Sequence, residues 1–204
     1  PKVQNLEKLC KVWGYTKYNH PAFLLGQKDW DKELKKLIPV VSEAEEEKVN
    51  GILHEWFVSL GGIDYGNSES ITLPPDEKRI EQADTSWIRE DYLGAELTED
   101  LSQLGPIPNI DRSKSPVKFN QGKYPDFSNE ATHMIFNYGN MSNRLLGLFR
   151  VWNAVEYYFP YLDIMDENWG KLLAEYIPKM LEGRDQKTFE LTIAELTAHL
   201  QDAH

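Results

Sequence analysis

The residues best suited to chemistry gather at the end of the chain, where His199, Asp202 and His204 fall within six positions. Imidazole and carboxylate groups are the usual oxygen and nitrogen ligands of divalent cations, so this run has the content of a metal site. A solvated helix end is the competing reading. His54 stands in a His-Glu-Trp run with no second histidine four residues on, which removes the helical zinc-protease pattern. His20 precedes Pro21 at the end of a helical pattern and reads as an aromatic-sized cap. Cys10 is the only cysteine and excludes an internal disulfide. It lies beside Leu9 and Val12 in an apolar pattern and is expected in the core. Paired carboxylates such as Glu45 and Glu46, or Asp163 and Asp166, arise in any acidic chain and imply no acid–base catalysis without converging geometry. Phosphate-binding glycine loops, the G-x-S-x-G elbow and cysteine-pair zinc spacings are all missing from the sequence.

The bulk charge narrows the partners. With 33 acidic and 22 basic residues the formal charge is -11. Such a surface repels phosphate backbones and anionic lipid heads, so no nucleic-acid partner is expected. No apolar run approaches the roughly 20 residues of a spanning helix. The chain opens at Pro1, without methionine or a signal-peptide pattern. That is expected of a segment whose leader has been removed or whose ends were chosen.

The elements that must position these residues follow from an internal repeat. Laying Leu6–Val41 over Leu145–Met180, a constant shift of 139, gives 11 identities in 36 positions without a gap. They include the pairs Trp13/Trp152, Trp30/Trp169, Pro21/Pro160 and Pro39/Pro178. Leu6, Leu9, Cys10 and Trp13 fall at i, i+3, i+4 and i+7, one face of a helix, and Leu145, Leu148, Phe149 and Trp152 repeat that face. Pro21 and Pro160 stop these helices. Second stripes follow at Trp30, Leu34, Leu37, Ile38 and Val41, and at Trp169, Leu173, Tyr176, Ile177 and Met180. Pro39 and Pro178 are expected to kink or end them. Helices are therefore predicted over 5–19, 29–41, 43–60, 143–159, 168–182 and 186–201, with the tryptophans packed in the core.

Between the repeats the texture changes. Residues 61–75 read as a loop, 76–104 as an acidic stretch with weak helix signals, and 105–116, with three prolines, as a linker. Val117/Phe119 and Met134/Phe136/Tyr138 alternate weakly and suggest a small two-stranded hairpin. The expected fold is mainly α: two related three-helix repeats, 1–60 and 141–204, joined by an irregular segment at 61–116 and a hairpin within 117–140.

The repeat signatures carry a resemblance. The run Leu9 to Pro21 (LCKVWGYTKYNHP), with Asp29–Trp30 and Leu37–Ile38–Pro39, resembles the start of the C-terminal-processing/tricorn-like serine peptidases of Bacteroidetes. So do Arg144 to Asn153 (RLLGLFRVWN), Glu156 to Pro160 (EYYFP) and Trp169. The closing run Leu196 to His204 (LTAHLQDAH) is similar to the D-x-H stretch before that family's PDZ domain. The resemblance runs through both repeats and the end of the chain and is weakest over 61–116.

It implies a parent enzyme whose helical N-terminal region leads into a PDZ domain and an α/β catalytic domain. There a serine attacks the peptide carbonyl, activated by lysine or, in tricorn-type members, by histidine. That serine lies downstream of the PDZ domain, outside these residues. His204 is the one position that matches the tricorn-type histidine; in Ser/Lys members a packing role is its alternative. The chain also ends inside a helical pattern without a glycine stop, as expected of a piece of a longer protein. The resemblance thus implies a non-catalytic region, structural and substrate-guiding, of an exported peptidase of the cell envelope, periplasmic or secreted. Its partners are the PDZ and catalytic domains of the same chain and the parent's protein or peptide substrate, and it needs no cofactor. Two rival readings stand beside it: an independent helical protein- or peptide-interaction module, and a small metal-dependent enzyme built on His199, Asp202 and His204.

Overall fold

The computed structural model describes residues 1–66, 83–105, 107–120, 124–131, 136–162, 165 and 167–201. The first repeat contains helix α1 (Lys2–Asn19), a single turn α2 (Pro21–Leu24), α3 (Trp30–Glu43) and α4 (Glu46–Ser59). Two short helices follow, α5 (Glu90–Leu93) and α6 (Ala95–Ser102), then strands β1 (Lys118–Phe119) and β2 (Pro125–Asp126). The second repeat contains α7 (Met141–Tyr158), α8 (Trp169–Glu182) and α9 (Gln186–Ala198). The protein is mainly α, as its periodicity predicts.

The repeat is structural. The bounds of α1 and α3, moved by 139 residues, are those of α7 and α8 to the residue. Pro21 and Pro160 act as expected, with α1 ending at Asn19 and α7 at Tyr158. Pro21 then opens α2 from the first helical position, where its missing amide hydrogen costs nothing. Asp29 and Asn168, equivalent positions, cap α3 and α8: Asp29 Oδ1 accepts from the Lys32 amide at 3.0 Å, and Asn168 Oδ1 from the Lys171 amide at 3.2 Å.

Neither Pro39 nor Pro178 ends its helix, contrary to that part of the sequence expectation. Both helices run on for four residues. The last turn is held from outside by side chains at equivalent positions. Asn5 Nδ2 donates to the carbonyls of Val41 (3.3 Å) and Ala44 (2.9 Å). Arg144 Nε donates to Met180 O at 2.8 Å, and its NH2 to Leu181 O at 3.4 Å. Val41 and Met180 are buried in these turns, so packing adds to the capping. Together they outweigh the single helical bond each proline removes.

The two halves meet as two copies of one surface would. Helix α1 packs on α3 as α7 packs on α8, and across the halves α1 meets α8 while α3 meets α7. Equivalent residues touch each other: the Tyr18 and Tyr157 rings lie 5.3 Å apart. Gly14 faces Asn153, its own counterpart, and a Cβ on Gly14 would come within 1.8 Å of Asn153 Oδ1. The Asn153 amide donates to Cys10 O (3.2 Å) and to Phe149 O (2.9 Å), again an equivalent pair. Such reciprocity is the mark of an isologous contact around a pseudo-twofold axis. The third helices depart from it: α4 leans on α1 and α6, α9 on α8 and α7.

The stripes expected inside are inside. Trp13, Trp30, Trp152 and Trp169 are all buried, and one core cluster joins both repeats to Leu93, Leu97, Leu101 and Leu104 of the α5–α6 stretch. The hairpin exists with a different second strand. Phe119 pairs with Pro125 and Lys118 with Asp126, antiparallel. Phe136 and Tyr138, expected in that strand, instead close on the Phe189 ring of α9 at 5.2 and 5.5 Å. Their alternation reflects two rings gripping a third; Met134 lies outside the described residues. Among the described residues no helix is long and apolar enough to cross a membrane.

Candidate functional site

Each histidine singled out by sequence that falls within the described residues is held by the fold. His20 is buried as the N-cap of α2, its Nδ1 accepting from the Ala22 amide at 3.1 Å, with the Phe57 ring edge-on at 5.2 Å. Burial pulls its pKa down to about 4, so the ring stays neutral near pH 7. His54 ties α4 to α6 through Nδ1 and Asp100 Oδ2 at 2.6 Å, a bond that raises its pKa. Cys10 is fully buried and burial pushes its thiol pKa well up, so it is a core residue and not a nucleophile.

His199 sits between Tyr176 and Glu167. Its Nε2 lies 3.0 Å from the Tyr176 hydroxyl and its Nδ1 2.7 Å from Glu167 Oε2. Hydroxyl, imidazole and carboxylate thus stand in the order of a nucleophile–base–orienter relay. The hydroxyl is a phenol on a side chain only 4% exposed, and burial raises its pKa. The trio fastens the end of α9 to α8. His204 and Asp202, the remaining members of the sequence-level site, lie outside the described residues, as do Asp163 and Asp166. Among the described residues no group of three metal-ligating side chains converges.

Among the described residues a dense charge cluster lies elsewhere, where the hairpin segment meets α1, α3 and α7. Glu130 enters from the chain after β2 and ion-pairs with Lys17, whose side chain is 0% exposed. Its second oxygen accepts from Trp30 Nε1 at 3.2 Å and meets Arg150 Nε at 3.2 Å. Arg150 also pairs through NH2 with Asp31 and donates from NH1 to Ala131 O at 3.0 Å. The Lys17 ammonium faces the Trp13 and Tyr18 rings at 4.8 and 5.0 Å. Two cations and two anions balance, and cation–π contacts replace lost hydration. Burial lowers the Lys17 pKa against the pull of Glu130, and raises that of Asp31 against Arg150.

A lysine with a lowered pKa is the type of group that activates a serine in a Ser/Lys enzyme, but Lys17 faces a carboxylate and ring faces. Of the hydroxyls flanking it on α1, Thr16 is bonded back to Val12 O at 2.7 Å and Tyr18 carries a phenol whose pKa burial raises. The cluster is a fastening, not a catalytic dyad. One signal for it stands in the sequence: Lys17 lies four residues after Trp13, on the apolar stripe. Nothing local marks Glu130, Arg150 or Asp31 as its partners.

Position 156, the counterpart of Lys17, carries a half-buried carboxyl group. Burial first and Asp84 second push the Glu156 pKa up to about 7, with Lys11 opposing. An acid whose folded pKa exceeds its unfolded value near 4.5 stabilises the native state below that value. This contribution is lost as pH rises through 7. Glu156→Gln removes the titration, so the variant is expected to be more stable than the parent chain by about 2 kcal/mol at pH 8, after discounting for partial exposure, and no different at pH 4. Urea unfolding at the two pH values checks this; an equal effect at both would remove the titration as cause.

Compared with protein-family models, with curated proteins and with solved structures, the chain shows no match.

Proposed function

We propose that this chain is the non-catalytic helical N-terminal region of an exported serine peptidase of the C-terminal-processing/tricorn-like kind, there to hold downstream PDZ and catalytic domains and guide a peptide substrate toward them. The observation that supports the reading is the engagement of its chemistry-capable groups. Cys10, His20, Lys17 and Tyr176 are buried, and His54 and His199 are bonded across helix pairs. No serine with a positioned base accompanies them among the described residues. The resemblance of the two repeat signatures and of the closing Leu196–His204 run points the same way.

The isolated chain is therefore expected to leave casein intact, while the longer protein that carries it cleaves casein. In a tricorn-type parent, His204 is the general base toward a serine of the catalytic domain, and His204→Ala lowers turnover by about three orders of magnitude or more without unfolding the protein. His199→Ala, which loosens only the Tyr176–Glu167 fastening, lowers it far less. Casein cleavage by the isolated chain, blocked by a serine-directed inhibitor, would overturn the reading. Near-parental turnover in His204→Ala assigns the histidine to packing and the parent to the Ser/Lys kind.

A chain without the downstream domains is the second reading, an independent peptide-interaction module. The observation favouring it is an open cleft beside the hairpin, whose walls include two cations.

A further inference from the structure

The cleft has a volume of about 500 Å3 and runs between residues 107–113 and strand β1. Its apolar wall is Ile107, Pro108, Ile110 and Phe119, and its polar wall carries Arg112 and Lys118. The Arg112 guanidinium is half-buried over the Phe119 ring, its carbon 5.4 Å from the ring centre. Among the described residues no carboxylate pairs with this guanidinium and no hydrogen bond engages it. Burial lowers its pKa, the cost of withdrawing an arginine from water without a counter-ion. Elsewhere in the chain the half-buried Arg150 has both carboxylate and carbonyl partners. Lys118 is only loosely held, its ammonium 3.7 Å from Asp126 Oδ2. The neighbouring carboxylate, Asp111, turns away to accept from Ser113 N and Oγ at 2.8 and 3.0 Å. Phe119 is 47% exposed although large and apolar.

A planar guanidinium that no described residue pairs, a lysine lining the same cleft and an apolar wall make a receptor for a carboxylate attached to an apolar body. In a chain of formal charge -11, a local pair of cations at a cleft is where an anionic ligand is drawn. The net negative charge of the chain repels polyanions, which disfavours nucleic acid. The cleft is open along one side, so an occupant keeps one face in water. Small-molecule sites instead enclose most of their ligand, whereas extended peptides lie in open grooves.

We propose that this cleft binds an extended peptide through a glutamate or aspartate side chain held by Arg112 and Lys118, with a flanking apolar side chain against Ile107, Ile110 and Phe119. The assignment does not rest on the peptidase reading, since the binding belongs to this chain alone.

The test titrates the 15N-labelled chain with the blocked tripeptide acetyl-leucyl-glutamyl-phenylalanine amide and with its glutamine analogue. The glutamate peptide is expected to shift the amide signals of Ile110, Ser113 and Phe119 saturably. The glutamine analogue should bind ~10-fold more weakly or worse, the loss of one charge-assisted contact. Arg112→Met abolishes the difference between the two peptides, and Lys118→Met, on the half-exposed strand, reduces it. Unshifted signals outside the cleft in both variants show that they fold. Equal binding of the two peptides, no saturable shift with the glutamate peptide, or an unchanged preference in Arg112→Met would each overturn the proposal. So would tight binding of the glutamine analogue once its C-terminus is left as the free acid, which moves the site to chain ends. Failure here leaves the peptidase reading standing, and loss of that reading leaves the cleft.

Discussion

Glu130→Ala is expected to destabilise the protein by about 3–5 kcal/mol, the range for removing one partner of a buried ion pair. The carboxylate joins three elements at once: Lys17 of α1, the indole N–H of Trp30 in α3, and Arg150 of α7. Removing it leaves the Lys17 ammonium, fully buried, with aromatic faces and only the Asp31 carboxylate, already engaged by Arg150, to balance it. The alternative is to lose the proton, for which the already lowered Lys17 pKa prepares the group. Lys17→Met together with Glu130→Gln removes both charges and keeps the volumes. That pair is expected to cost far less than the sum of the single changes, as a double-mutant cycle by chemical denaturation will read. Additive single costs would show that the two groups do not act as a pair.

Trp13→Ala carries the other large effect, about 3–5 kcal/mol, as for large-to-small changes of buried aromatics. The indole is fully buried, and its N–H donates to Trp30 O at 2.9 Å, fixing the start of α3 against α1. Trp152 does the same in the second half, donating to Trp169 O at 3.2 Å. Trp152→Ala is therefore expected to match Trp13→Ala within about 1 kcal/mol, less than the spread among buried sites in general. Chemical denaturation of the two variants checks this. A loss at one site only would mean that the halves, though alike in shape, do not share the strain of unfolding.

Much of this fold is written locally, and so was legible. A helical face needs only residues three and four apart, and the expected helices 5–19, 29–41, 143–159 and 168–182 fall within about three residues of the observed ends, which the shift of 139 relates to the residue. The same alignment holds a deeper pattern: equivalent positions such as Tyr18 and Tyr157 are the ones that touch. Long-range pairings were not legible. Glu130 stands 113 positions from Lys17, with only a charge on an apolar stripe to hint at the pair, and Asp31 stands 119 from Arg150 with no local signal. The prolines at 39 and 178 do not end their helices because the capping groups that sustain the last turns, Asn5 and Arg144, come from another helix. Arg112 lies in a stretch that reads as a linker, and only the folded chain sets it against Phe119 and Lys118. The candidate histidines at 20, 54 and 199 were visible by type, but their caps and cross-helix bonds belong to the tertiary fold.

The proposal that this chain serves a serine peptidase without supplying its nucleophile is tested by fluorophosphonate labelling of the full-length gene product, with the modified residue located by peptide mass mapping. A single labelled serine beyond residue 204 and none within residues 1–204 is the expected result. A labelled serine inside this chain, or a full-length protein that takes no label and leaves casein whole, would contradict it.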